Sequence, residues 1–308
     1  MAGTPRPATV PILLRTMIEV IHPGLLSSIQ ESGRKGLTTW AIPQSGVLDR
    51  EAFTAANALL GNPPNTPVVE VNLLGPKLLF HEATHLVLTG ADLNWQLNGA
   101  PVDRYRPIPV QSGDTLVGKF AVNGARAYLA IAGGFQATRS LGSAATYPPC
   151  NWGGLNDAYL KKGDTLFFAN ELTSDPVSPS EVVVPDYSAY QEVRCYPGPD
   201  WHLLNETSKA AFRNHPFSIS QQSNRMGAVL ENNTLSLVSS PNLPSAAIFP
   251  GIIQLPPSGN PIVLLQDCQT TGGYPRIAYI PEKELMKFTQ IMPGRTVKFA
   301  FLPENRFF

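Results

Sequence analysis

The chain is poor in cysteine, poor in charge and without a long apolar run, and each shortage excludes something. Its three cysteines, Cys150, Cys195 and Cys268, are odd in number, far apart and form no CxxC pair. That pattern argues against a disulfide framework and for reduced thiols in a cytoplasmic protein. The sequons at Asn205 and Asn232 then read as chance matches. Charged residues make up only 15% of the chain, 23 basic against 23 acidic. No excess of either sign points to nucleic acid or to a membrane surface. No apolar stretch approaches the roughly 20 residues of a membrane helix. Near the N-terminus Pro5, Pro7 and Pro11 interrupt the sequence, and Ile12-Leu13-Leu14 is too short for a signal-peptide core. Residues 1–16 are expected to form a flexible extension.

Proline and glycine are plentiful, 30 and 25 in 308 residues, which suits many short strands better than long helices. A chain this long is expected to hold two domains. A Ser-, Pro- and acid-rich stretch between Leu172 and Asp186 marks a linker, so the expected units are 17–180 and 181–308. Met17–Ile21 alternates like a strand, and short strands are expected at 68–73, 77–80, 86–88 and 94–97. The one clear helix of the first half has Asp49 as N-cap, helical spacing of Ala52, Phe53, Ala56, Leu59 and Leu60, and Gly61 as its stop. Gly113-Asp114-Thr115-Leu116 recurs as Gly163-Asp164-Thr165-Leu166 and, more loosely, as Gly294-Arg295-Thr296-Val297. Each copy predicts a turn glycine followed by strand entry. In the second half a helix is expected around 202–212 and a strand over 217–220. The whole reads as mainly β, with a helix or so in each half.

Two motif matches fail on context. His81-Glu82-Ala83-Thr84-His85 has the spacing of a zinc-binding helix, but it sits between two apparent strands and leaves no room for one. Gly113 to Lys119 resembles a phosphate-binding loop, yet Phe120 stands where the magnesium-binding hydroxyl is required. No GxSxG elbow occurs, and no metal site is expected. The most informative stretch is Gln266-Asp267-Cys268-Gln269-Thr270-Thr271-Gly272-Gly273-Tyr274-Pro275, between the apolar runs 261–265 and 277–280. It offers a carboxylate, amides, hydroxyls and a phenol, with a glycine pair free to adopt positive φ. A plain hairpin needs only about two to five turn residues, so this loop is expected to bind something. Arg34, Asp49, Asn57, Asp92, Arg225 and Asp267 are the further polar candidates beside Gly-rich turns. Arg225, in Ser223-Asn224-Arg225-Met226-Gly227, is suited to a bidentate grip on a carboxylate or phosphate.

Several segments occur together in a fixed order. They include Gln30-Glu31-Ser32-Gly33-Arg34, Gly46-Val47-Leu48-Asp49, Ala56-Asn57-Ala58-Leu59-Leu60-Gly61-Asn62, Glu70, Leu88-Thr89-Gly90-Ala91-Asp92, Tyr128 to Gly134, the Arg225 segment and Gln269 to Pro275. In this the chain resembles the biotin-dependent carboxyltransferase-like family from about Met17 to Phe301. That family includes the C subunit of ATP-dependent 5-oxoprolinase, one half of the carboxyltransferase region of urea carboxylase, and an antagonist of a histidine-kinase inhibitor. The resemblance implies cyclophilin-like β-barrel subdomains. It also implies two partners, a kinase-inhibitor-like homologue of the B subunit, and the A subunit, which hydrolyses the lactam. It implies the opening of 5-oxoproline to glutamate, with ATP used by the assembled complex; the chain lacks a Met-Lys-Met attachment motif, so no biotin is expected on it. Arg225 and Asp267 are then expected in catalysis. Arg34, Asp49, Asn57, Asp92, Gln269, Thr270, Thr271, Gly272, Gly273 and Tyr274 are expected to hold a small amide substrate. A carboxyltransferase component and a regulatory protein that binds a kinase inhibitor remain the alternatives.

Overall fold

A computed structural model describes residues 16–156, 158–169, 178–239 and 243–303. The expected extension lies outside them apart from Thr16, as do residues 172–177 of the expected linker. Sheets dominate. The helices of the described residues are α1 (Arg50–Leu60), α2 (Glu206–Asn214) and α3 (Glu282–Thr289), with a few single 3-10 turns.

The first half is two packed sheets. One is six-stranded, in the order 165–168, 16–22, 77–80, 115–117, 96–97 and 100–101. The other is five-stranded, in the order 26–30, 68–72, 123–131, 84–92 and 107–110. Strand alternation places Ile18, Val20, Leu78 and Phe80 of the first against Ile29, Val69, Val71, Leu88 and Leu129 of the second, in one dry core. The opposite face of the five-stranded sheet is covered by α1, whose Phe53, Ala56 and Leu59 pack on Val68, Val87 and Ala130. Here the sequence signals are met. Asp49 accepts the Ala52 amide at 3.0 Å, and Gly61 closes the helix at φ 66°. Across this covered face the register lines up Ser28, Glu70, Tyr128 and Thr89 in one row. Polar side chains are thereby carried to the face of the sheet that turns away from the dry core.

The second half closes into a seven-stranded barrel. Its strands run in the order 192–197, 276–279, 252–254, 262–264, 227–231, 217–219 and 296–301, and the last returns to the first in a parallel pairing. The barrel is filled by Val193, Phe212, Phe217, Ile253, Val263, Ile277, Phe288 and Phe299, and Leu48 of the first half enters the same core. Gly113, Gly163 and Gly294 hold φ of 92°, 87° and 83°, and each precedes a strand, as the repeat predicts.

Several expected boundaries move. The strand expected at 86–88 runs from Thr84 to Asp92. The one expected at 94–97 shortens to Gln96–Leu97 because Asn94 turns into the left-handed region at φ 48°. The helix expected at 202–212 begins only at Glu206, because Asn205 caps it by accepting the Ser208 amide at 2.8 Å. Of the HExxH residues, 81–83 join the strands Lys77–Phe80 and Thr84–Asp92 and the last two open the second strand, so the motif is not helical. The three cysteines are unpaired, and no helix among the described residues is long and apolar enough to cross a membrane.

Candidate active site

Where the sheets of the first half meet the barrel, a chain of buried polar groups replaces apolar packing. Glu70 receives three donors. Tyr128 OH and the Leu48 amide reach Oε2 at 2.8 and 2.9 Å, and Arg225 Nη1 pairs with Oε1. Arg225 Nε and Nη2 donate to Asp267 Oδ2 and Oδ1 at 2.9 and 3.1 Å, and Nη2 also reaches the Gly46 carbonyl. Asp267 Oδ1 accepts Ser45 Oγ at 2.6 Å. Burial pulls the Arg225 pKa down, but Asp267 and Glu70 outweigh it and hold the guanidinium firmly charged. Arg225, Asp267 and Glu70 are each less than 9% exposed.

This geometry revises the expected roles. Every part of the Arg225 fork is engaged by protein groups, so Arg225 is not open to grip a substrate anion. Both Asp267 oxygens are likewise bonded, so as placed Asp267 is a holding group for the loop rather than a free base. Together they clamp the barrel (Arg225, Asp267) to the first half (Glu70, Ser45, Gly46).

A tight backbone crossing sets up the Ser45 contact. The Arg34 amide donates to Gln44 O at 2.7 Å and the Val47 amide to Glu31 O at 2.9 Å. Gly33 and Gly46 face each other there at φ 89° and 94°. Ser45 between them sits in the left-handed region at φ 55°, its amide on Gln266 O at 2.9 Å. A non-glycine residue held in this region stores strain, and such residues gather at functional sites.

The organising loop projects from this clamp. Gln269, Thr271, Gly273 and Tyr274 are exposed, and Thr270 and Gly272 are half-buried. Thr271–Gly272 pairs with Ala246–Ala247, which fixes the loop's outer limb. Neither Gly272 nor Gly273 uses the freedom to adopt a positive φ. A Cβ at Gly272 would lie 2.9 Å from the side-chain ends of Gln254 and Ile248, which would have to shift to admit it. Phe249 and Tyr274 are about half exposed and Met226 is 40% exposed, which adds apolar surface to a polar loop. Burial raises the Cys268 thiol to about 12, so it is not a nucleophile near neutral pH.

The remaining candidates scatter. Asn57 is spent on Thr66 O and Asn62 within the first half, and Asp92 caps a turn at the Asn94 amide. Asp49 lies under the linker, beside a cleft of about 280 Å³ whose walls include Tyr105, Tyr187, Tyr190, Arg194 and Lys287. Its Oδ2 accepts Gln290 Nε2 at 2.7 Å. Arg34 does stand beside Asp267, buried, with its guanidinium 5.3 Å from the Trp152 ring centroid. In the sequence Glu70 and Tyr128 stand only within family segments, while Ser45 and Gln290 carry no mark as site residues. For Ser45 the signal was its place before Gly46 in a Pro-containing turn; for the others it lies only in tertiary register.

Burial raises the Asp49 pKa, against the opposing pull of the Ala52 amide and Gln290. The native state then holds this proton to higher pH than the unfolded chain. Its contribution to stability is greatest below the ordinary aspartate range of about 3.9, falls as pH rises toward the folded pKa, and is level above that. Asp49→Ala is expected to remove this slope and to lower stability by about 1–2 kcal/mol through loss of the cap. Urea unfolding of both proteins from pH 4 to 8 measures the difference, and parallel curves would contradict the raised pKa.

The family model of the carboxyltransferase domain, subdomain A and B, matches residues 40–301. The C subunit of 5-oxoprolinase from Escherichia coli K12 is 35% identical over 284 residues, covering 92% of this chain and 91% of that protein. Urea amidolyase of Saccharomyces cerevisiae is 32% identical over 305 residues, covering 92% of this chain but 16% of that protein. The solved urea amidolyase of Kluyveromyces lactis superposes with a TM-score of 0.87 at 30% identity, over 94% of this chain and 19% of that one.

Proposed function

The chain belongs to the carboxyltransferase domain family, subdomains A and B, and from that premise we propose that it is the C subunit of a 5-oxoprolinase. The assembled enzyme opens 5-oxoproline to glutamate, one water entering the lactam bond while ATP is hydrolysed to ADP and phosphate. The observation that carries the proposal is the end-to-end match to the Escherichia coli C subunit, which spans nine-tenths of both proteins. The urea amidolyase match confines this chain to a small part of a much longer protein.

In this reading the chain works with homologues of the A and B subunits, in the cytoplasm, and ATP belongs to the complex. Gln269, Thr270, Thr271 and Tyr274 present amide, hydroxyl and phenol groups to the small amide. The Arg225–Asp267 clamp holds that loop at a fixed angle. Preorganised donors of this kind stabilise charge that develops as an amide opens.

The test is reconstitution with the A and B subunits, then omission of each in turn, following ADP and glutamate. Both products are expected only when this chain is present. Turnover that survives its omission would remove the assignment. Carboxylation of urea with a biotinylated carrier in the same assay would favour the carboxyltransferase alternative instead.

A further inference from the structure

Arg34 is the exception among the buried arginines of the described residues. It is 2% exposed, yet only Nη2 has an acceptor, the Ala145 carbonyl at 2.8 Å. Nε and Nη1 are buried with no hydrogen-bond partner. Arg225, at 8% exposure, has partners on Nε, Nη1 and Nη2. Arg126, also at 8%, donates through Nη1 alone, to Asn72 Oδ1 and the Ala125 carbonyl, but it leaves no nitrogen sealed from solvent without a partner. Buried donors are almost always satisfied, and an orphaned donor on a charged group is more costly than on a neutral one. Asp267 and Glu31 act on Arg34 through their charge without bonding to it. A guanidinium does not lose its proton in a protein, so the open donors stay donors.

We propose that Arg34 anchors the carboxylate of the small substrate. The inference rests on the oxoprolinase reading for the identity of that substrate. The remaining N–H groups lie in the guanidinium plane, where a carboxylate is met best. The Trp152 ring centroid lies 5.3 Å from the guanidinium carbon, within cation–π range. Asp267 and Glu31 already offset part of the positive charge, so a monoanion fits better than a dianion such as phosphate. 5-Oxoproline is a small lactam with one carboxylate. With that carboxylate on Arg34, the ligand is tied to a residue that shares Asp267 with the organising loop.

The strap 147–154 passes beside Arg34, which its Trp152 contacts. Cys150 on it is exposed and Trp152 is half-buried. Asn151, Gly153 and Gly154 hold φ of 52°, 70° and 71°, so the strap is built from turns rather than from a ladder.

Isothermal titration on the full chain and on the reconstituted complex tests the assignment, with 5-oxoproline, 2-pyrrolidinone (the same lactam without the carboxylate), acetate and bicarbonate. Wild type is expected to bind 5-oxoproline at least tenfold more tightly than 2-pyrrolidinone. Arg34→Gln should abolish that preference and leave 2-pyrrolidinone unchanged, and Arg34→Lys should keep part of it. The comparison of the two lactams on wild type does not depend on how well a variant folds. Equal binding of the two lactams, or Arg34→Gln binding 5-oxoproline as wild type does, overturns the proposal. If acetate or bicarbonate alone shows Arg34-dependent binding, the anion site stands and the oxoprolinase reading loses its ligand here. If no carboxylate binds, the proposal falls, while turnover on reconstitution still decides the reading beneath it.

Discussion

Arg225→Ala is expected to cost about 3–5 kcal/mol of stability, because it leaves two carboxylates buried without their counter-charge. Glu70 and Asp267 are 4% and 2% exposed, so water cannot take over from the guanidinium. Against a typical total of about 5–15 kcal/mol, a loss of that size removes a large share of the folded reserve. Urea unfolding gives the value, and the reconstituted assay gives turnover from the same preparation. Both are expected to fall together. Removing all three charges at once, as Arg225→Met with Glu70→Gln and Asp267→Asn, is expected to recover part of the stability, since no ion then remains buried. An Arg225→Ala protein as stable as wild type but inactive would refute the clamp and return Arg225 to catalysis.

The clamp also shows where a sequence stops being informative. Local signals hold. Asp49 and Gly61 lie within a turn of the helix they bound, and the three turn glycines each precede the strand they predict. The polar loop is legible because its ten residues are contiguous, and it does lie between the strands Ile262–Leu264 and Arg276–Tyr279. What fails is the inference of an open Arg225. Its partner Glu70 is 155 positions away and reaches it only through the register that rows Glu70 with Tyr128 on the covered face of a sheet. Helix α3 escapes the sequence for a different reason. It is eight residues long, follows Pro281 without a side-chain cap, and marks its inner face with little beyond Leu285 and Phe288. Its consequence is large, because Gln290 at its end bonds Asp49, the Ala125 and Arg126 amides and the Arg126 carbonyl. Arg34 stands out in the sequence for its place beside a glycine; that its donors stay open depends on Ala145 and Trp152, more than 100 residues on.

Gly46→Ala is the second large effect, and it tests the crossing rather than the charges. A Cβ at Gly46 would lie 2.7 Å from Glu31 O and 2.7 Å from the Gly33 nitrogen, both backbone, on a residue with φ 94°. The left-handed conformation costs about 1–2 kcal/mol and the forced displacement about 1–3 more. The expected loss is therefore about 2–5 kcal/mol. Gly36 is the control, in the same loop at φ 74°, where an added methyl group would meet nothing within 4 Å, so Gly36→Ala should show the conformational part alone. Equal losses at the two positions would mean that the close approach carries no weight. The Gly46 carbonyl is also an Arg225 acceptor, and Ser45 beside it holds Asp267. Displacing this backbone thus loosens the same clamp from its other side. Gly46→Ala and Arg225→Ala should accordingly be less than additive when combined, as expected of residues in one network. Additive losses would separate the crossing from the ion pairs and leave the strained Ser45 without a structural task.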